Sequence, residues 1–157
     1  MSAAFPPELA AKVRALTGRY PAAAAALLPV LHLVQNERGR LSAEDELAVA
    51  GLLGIPPVKV REVVTFYTMF RRNPVGRYHI QVCTNLTCTL AGGEALAAHL
   101  EAKLGVRLGG TTPDGKFTLT AVECLGACET APCLMVNFDY HGNLDAGRID
   151  ELLGSLT

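Results

Sequence analysis

The sequence predicts an α+β chain: a helical bundle over residues 1–72, then a compact α/β domain over 77–157. Three observations carry this. Apolar residues recur at helical spacing through the first seventy residues, and alternating β-rich runs begin only at Tyr78. Between the two lies Arg71-Arg72-Asn73-Pro74-Val75-Gly76, whose charges, Asn-Pro step and Gly mark a linker with a solvated surface. With 157 residues, half of them hydrophobic, the chain suffices for one ordinary domain or two small ones with real cores.

The elements follow in order. Residues 7–16 form a short amphipathic helix. A second helix runs from 22 to 37 and stops at Gly39, with Pro29 either in a first turn or at a kink. The third is capped by Ser42, carries Glu44 and Asp45 near its positive dipole end, and ends at Gly54. The fourth starts at Pro56-Pro57 and places Val60, Val63, Val64, Tyr67 and Phe70 at helical spacing. Four short helices with short connections make a small bundle. Tyr78-His79-Ile80-Gln81-Val82 alternates as a strand. Residues 90–104 read as a helix with Leu96, Leu100 and Leu104 on one face. Thr112-Pro113-Asp114-Gly115 is a turn, 117–122 a second strand and 133–138 a third. Asp145 caps a last helix whose stripe is Ile149, Leu152, Leu153 and Leu156.

The chemistry lies in the cysteines. Cys83 and Cys88 form a C-x4-C pair, Cys124 and Cys128 a C-x3-C pair, and 35 residues separate them. Each pair follows directly on a predicted strand. If those strands are sheet neighbours, both loops emerge at one end and four sulfurs converge there. Four thiolates suit zinc or an iron–sulfur cluster, and the spacings leave a thiol redox pair open as well. Neither pair is C-x2-C, which weighs against a zinc knuckle and a thiol oxidoreductase, and the plant-type ferredoxin spacing is absent. Gly126-Ala127 allow backbone to approach a cluster and donate N–H groups to sulfur. Glu123 and Glu129 flank the second pair, and no Lys or Arg lies between Cys83 and Glu101. A cluster here should therefore have a low potential, close to the roughly −400 mV of plant-type ferredoxins. Cys133 is left over: a ligand set with Cys133 in place of Cys128 would need a looser C-x8-C clip, so it reads as a small buried hydrophobe, with a role near the cluster or reversible pairing with another thiol as the alternative.

Composition excludes other classes. Fourteen basic and 15 acidic side chains give a net charge of −1, which is no footprint for nucleic acid or an anionic membrane. No apolar run reaches the ~18–20 residues of a membrane span. The opening Met-Ser-Ala-Ala-Phe-Pro-Pro is not a secretory signal, so a reducing cytoplasm is expected, where paired cysteines serve metal or redox chemistry rather than disulfides. His32, His79, His99 and His141 form no helical pair and read as structural or surface residues. Gly92-Gly93 read as a close helix start.

Val-Cys-Thr-Asn-Leu-Thr-Cys at 82–88, Thr-Thr-Pro-Asp-Gly-Lys-Phe at 111–117 and Glu-Cys-Leu-Gly-Ala-Cys-Glu-Thr-Ala-Pro at 123–132 together resemble the thioredoxin-like [2Fe–2S] ferredoxins, in particular the 24-kDa subunit family of respiratory NADH:quinone oxidoreductase, complex I. Leu-Leu-Pro-Val-Leu-His-Leu-Val-Gln at 27–35 and Val-Val-Thr-Phe-Tyr-Thr-Met-Phe at 63–70 resemble that family's helical region. The resemblance implies a thioredoxin-like domain behind the bundle, with Cys83, Cys88, Cys124 and Cys128 as ligands of one [2Fe–2S] cluster. It implies an F-type flavoprotein partner that binds FMN and NADH and exchanges single electrons with that cluster, alongside other peripheral-arm subunits at the cytoplasmic face of the inner membrane. The isolated chain would bind neither nicotinamide nor flavin and would not oxidise NADH. The same module is similar to diaphorase subunits of NAD-dependent formate dehydrogenases and of bidirectional or bifurcating hydrogenases, although Asn-Phe-Asp-Tyr-His-Gly-Asn-Leu at 137–144 resembles the complex I version. Thioredoxin-like folds often carry a cis-proline before a strand, which implies a cis bond at Pro132. A zinc-stabilised adaptor stands as the non-redox alternative.

Overall fold

The computed structural model describes residues 5–156, so part of the N-terminal segment considered for a secretory signal, and the last residue of 77–157, lie outside the described residues. The chain forms two compact units, Met1–Pro74 and Val75–Thr157.

The first unit is helical: α1 Pro7–Thr17, a 3-10 turn Ala23–Ala26, α2 Leu27–Arg38, α3 Ala43–Leu53 and α4 Pro57–Phe66. The helix expected over 22–37 thus starts late, and Pro29 falls in the first turn of α2, where its missing N–H costs nothing. Ser42 caps α3 in a reciprocal box with Asp45, and Gly54 ends it at φ 64°. Val13, Val30, Leu31, Val34, Val49 and Val60 form a core of side chains at most 1% exposed. The fourth helix, expected to reach Phe70, ends at Phe66, and Tyr67 turns extended. Buried Gln35 explains the exit: its Oε1 accepts the Arg71 N–H at 2.6 Å and its Nε2 donates to the Met69 carbonyl at 3.0 Å. The Arg71 carbonyl in turn accepts the Leu41 N–H at 2.7 Å. Buried Glu46 pairs with Arg61 and, at 3.6 Å, with Arg72, so with the Arg71 backbone held by Gln35 and Leu41 the two linker arginines are less free than a solvated loop would leave them.

The second unit is a mixed four-stranded sheet in the order β2-β1-β3-β4, with helices between β1 and β2 and after β4. The strands are β1 Tyr78–Cys83, β2 Phe117–Val122, β3 Leu134–Val136 and β4 Asp139–His141. β1 and β2 are parallel, and β3 is antiparallel to both β1 and β4. The helix expected over 90–104 is α6 Gly93–Leu104, which starts three residues later, and a separate short helix, α5 Leu86–Leu90, precedes it, the two divided by Gly92 at φ 98°. The last helix, α7 Ala146–Ser155, is capped by Asp145, which accepts the Arg148 N–H at 2.9 Å. Residues 133–138 are not one strand: the chain reverses at Asn137-Phe138 into β4, with Asn137 at φ 55°, a conformation asparagine tolerates. Ile80, Val82, Leu119 and Leu134 meet Leu96, Leu100 and Ile149 in the core. His79 is structural, 2.8 Å from the Thr120 hydroxyl.

Candidate metal centre

The parallel register sets Cys83 opposite Val122, so β1 and β2 end level and both cysteine loops leave the same edge. Thr84 fastens the junction, donating from its N–H to the Val122 carbonyl at 2.9 Å. Cys83 closes β1 and is buried. Asn85 caps α5, and Cys88 sits buried inside that short helix rather than in the turn before it. Close packing of α6 against this turn requires Gly93, because a Cβ there would lie 2.8 Å from the Cys88 carbonyl oxygen.

The second loop covers the first. Leu125, Ala127 and Ala131 pack against the cluster of Cys83, Cys88 and Cys133, while Cys124 and Cys128 themselves are exposed. Gly126 adopts φ 72° and donates its N–H to Cys124 Sγ at 3.2 Å, the backbone-to-sulfur bond its small size was expected to allow. Cys128 opens a 3-10 turn, Cys128–Thr130. That turn is braced by Asn143, whose N–H donates to the Thr130 carbonyl at 2.6 Å, and by Gly142, whose missing side chain leaves the space Thr130 fills. The Ala131–Pro132 bond that follows is cis.

Of the four expected ligands, Cys83 and Cys88 come together, and Cys124 and Cys128 stand at the surface outside their group. The third member is Cys133: the Sγ atoms of Cys83, Cys88 and Cys133 all lie within 4.8 Å of one another. Cys133 is buried, as a small hydrophobe would be, but it is also a thiol among thiols. Its placement follows from the antiparallel β1–β3 pairing, which no local pattern announces. Burial works against ionisation at Cys83, yet N–H groups of Asn85 and Leu125 and the neighbouring thiols outweigh it and hold the group below the ordinary cysteine range. Burial raises Cys88, and pushes Cys133 up to about 12.

The donor set fits a [2Fe–2S] cluster. Cysteines come in two pairs on loops that leave one sheet edge, with the Gly126 N–H on Cys124 Sγ and small residues around them. Sheet and site together define a thiolate-ligated metalloprotein built on a thioredoxin-like scaffold. Comparison with known proteins narrows the class. The model of the thioredoxin-like [2Fe–2S] ferredoxin family matches residues 13–157, and the chain belongs to that family. It is 52% identical to the NADH-quinone oxidoreductase E subunit 2 of Rhizobium meliloti (strain 1021) over 144 residues, 92% of this chain and 86% of that one. With the NADH-quinone oxidoreductase E subunit of Mycobacterium tuberculosis (strain ATCC 25618 / H37Rv) it shares 41% over 156 residues, 97% of this chain but 62% of the relative. Among solved structures, the crystal structure of an NAD+-reducing [NiFe]-hydrogenase in the H2-reduced state matches with a TM-score of 0.73 and 29% identity, over 85% of this chain and 22% of that one.

Proposed function

We propose that this chain is the [2Fe–2S] electron-transfer subunit of an NADH-quinone oxidoreductase. The observation that carries the reading is the level ending of β1 and β2, which delivers two cysteine pairs to one edge of a chain 52% identical to an E subunit of that enzyme. In this reading Cys83 and Cys88 are one pair of ligands and Cys124 and Cys128 the other, and family membership decides for iron over zinc or thiol exchange. Bound there, the cluster accepts and returns one electron at a time. The chain's own residues hold four thiolates, place the Gly126 N–H on Cys124 Sγ, and shield the inner pair with Leu125, Ala127 and Ala131.

Residues 77–157 form the thioredoxin-like cluster domain and 1–72 a helical bundle in this reading. The partner is an F-type flavoprotein carrying FMN and NADH, set among other peripheral subunits at the cytoplasmic face of the membrane. No helix of the described residues is long and apolar enough to cross a membrane. The likeness to an NAD+-reducing hydrogenase favours a second reading, the equivalent diaphorase subunit of such a complex. Its identity of 29% against 52% ranks it second.

The test is anoxic purification from the native source. Two irons and two acid-labile sulfides per chain, with a flavoprotein and quinone-reducing subunits alongside, are the expected result. A colourless chain with one zinc refutes the cluster. Hydrogenase or formate dehydrogenase subunits in their place move the chain to the second reading.

A further inference from the structure

Cys133 belongs to neither pair, yet it touches both members of the first. Its Sγ is 3.7 Å from that of Cys88, and its carbonyl accepts the Cys83 N–H at 3.2 Å. It is 1% exposed. We propose that Cys133 is a positioning residue that raises the cluster's reduction potential, its S–H donating to the sulfur of Cys88. The proposal rests on Cys88 being a ligand.

The backbone of position 133 would be present with any residue, so what the side chain adds is an S–H group beside the Cys88 sulfur. A hydrogen bond to a ligand sulfur draws off negative charge. The reduced cluster holds one electron more than the oxidised one, so the bond favours reduction. The contact is enclosed: Leu125, Ala127 and Ala131 pack against the cluster of Cys83, Cys88 and Cys133, and the Cys133 Sγ faces the Cys88 Sγ at 3.7 Å.

The experiment uses the full chain loaded anoxically with its cluster, as wild type and as Cys133→Ala, Cys133→Val and Cys133→Ser. Iron and sulfide content, the EPR spectrum of the reduced state and the midpoint potential are measured on each. All four should hold equal iron. The Ala and Val variants should shift to a more negative midpoint with an altered EPR spectrum, and Ser, which still donates, should stay near wild type. An unchanged midpoint in Ala and Val overturns the proposal in favour of packing, and lost iron overturns it in favour of a ligand. If Cys88→Ala keeps its iron, or the wild type holds none, the ligand reading fails first and the proposal with it.

Discussion

Cys83 stands opposite Val122 in the parallel ladder of β1 and β2, with Cys133, the residue before β3, on its other side, where the Cys133 carbonyl accepts the Cys83 N–H at 3.2 Å. One residue therefore gathers the site: the loop to Cys88, the loop to Cys124 and the entry to β3 all start from its neighbours. Replacing each cysteine by alanine should sort the five thiols. Cys83→Ala, Cys88→Ala, Cys124→Ala and Cys128→Ala should each lose the visible absorption and most of the iron, while Cys133→Ala keeps both. Iron retained in Cys128→Ala and lost in Cys133→Ala would exchange their roles.

Gly142 supports the second loop from below. A Cβ added there would run into the Thr130 side chain, with the Thr130 carbonyl oxygen 2.8 Å away, so the 3-10 turn that starts at Cys128 must move. Gly142→Ala should cost about 1–3 kcal/mol, the range for forced overpacking. It should also speed cluster loss to a chelator several-fold while leaving the helical unit unchanged. Equal loss rates in variant and wild type would mean that the turn does not hold the cluster.

Much of this was legible in the residues, and the reasons differ from element to element. Ser42 with Asp45, Asp145 before α7 and the Thr112–Gly115 turn are local devices, and each stands where its sequence placed it. The β3–β4 hairpin was not legible, because strands of three residues are too short to show a period and Asn137-Phe138 lacks the glycine that marks most tight turns. The end of α4 escaped for another reason. Its apolar spacing continues to Phe70, and what stops it is Gln35, over thirty residues upstream. Cys133 is the same kind of case: it meets Cys88 across 45 residues of sequence, a contact that exists only once β3 has paired with β1.

Glu46 tests the helical unit. It is 3% exposed and is held by Arg61 and Arg72, whose side chains remain partly solvated. Arg61→Ala would leave the carboxylate buried with one distant partner, at a cost of about 1–3 kcal/mol. Lys59→Ala breaks an exposed pair with Glu62 and should fall within about 0.5 kcal/mol of wild type. Urea unfolding followed by helical circular dichroism measures both, and equal midpoints would refute the ranking.

His32 supplies a pH dependence with a definite sign. Burial against Phe70, with Met69 Sδ 3.1 Å from Nε2, lowers its pKa below the ordinary value of about 6.5. Between the two values the unfolded chain binds the extra proton, so stability rises with pH there. The contribution is complete above about 6.5 and is lost as pH falls below it. Asp114 and Asp150 are lowered as well, by Thr112 and by Lys103 with His99 respectively, but their window lies below about 3.9. His32→Gln should flatten the unfolding midpoint between roughly pH 7 and pH 5 and leave the steeper acid loss in place. An unchanged slope would place the titration elsewhere.

The midpoint potential reports the charge around the sulfurs. Glu123 and Glu129 are exposed beside Cys124 and Cys128, and the sequence has no Lys or Arg from Tyr78 to Glu101. An added electron is repelled by both carboxylates, which supports a midpoint close to the roughly −400 mV of plant-type ferredoxins. Exposed charges interact weakly, at about 0.2–1 kcal/mol each. For a one-electron couple 59 mV corresponds to about 1.4 kcal/mol, so Glu123→Gln and Glu129→Gln should each raise the midpoint by about 10–40 mV. Higher salt should raise the wild-type value and shrink the difference, since screening weakens the same repulsion. A wild-type midpoint above zero, or variants that shift downward, would show that backbone donors rather than surface carboxylates govern this site.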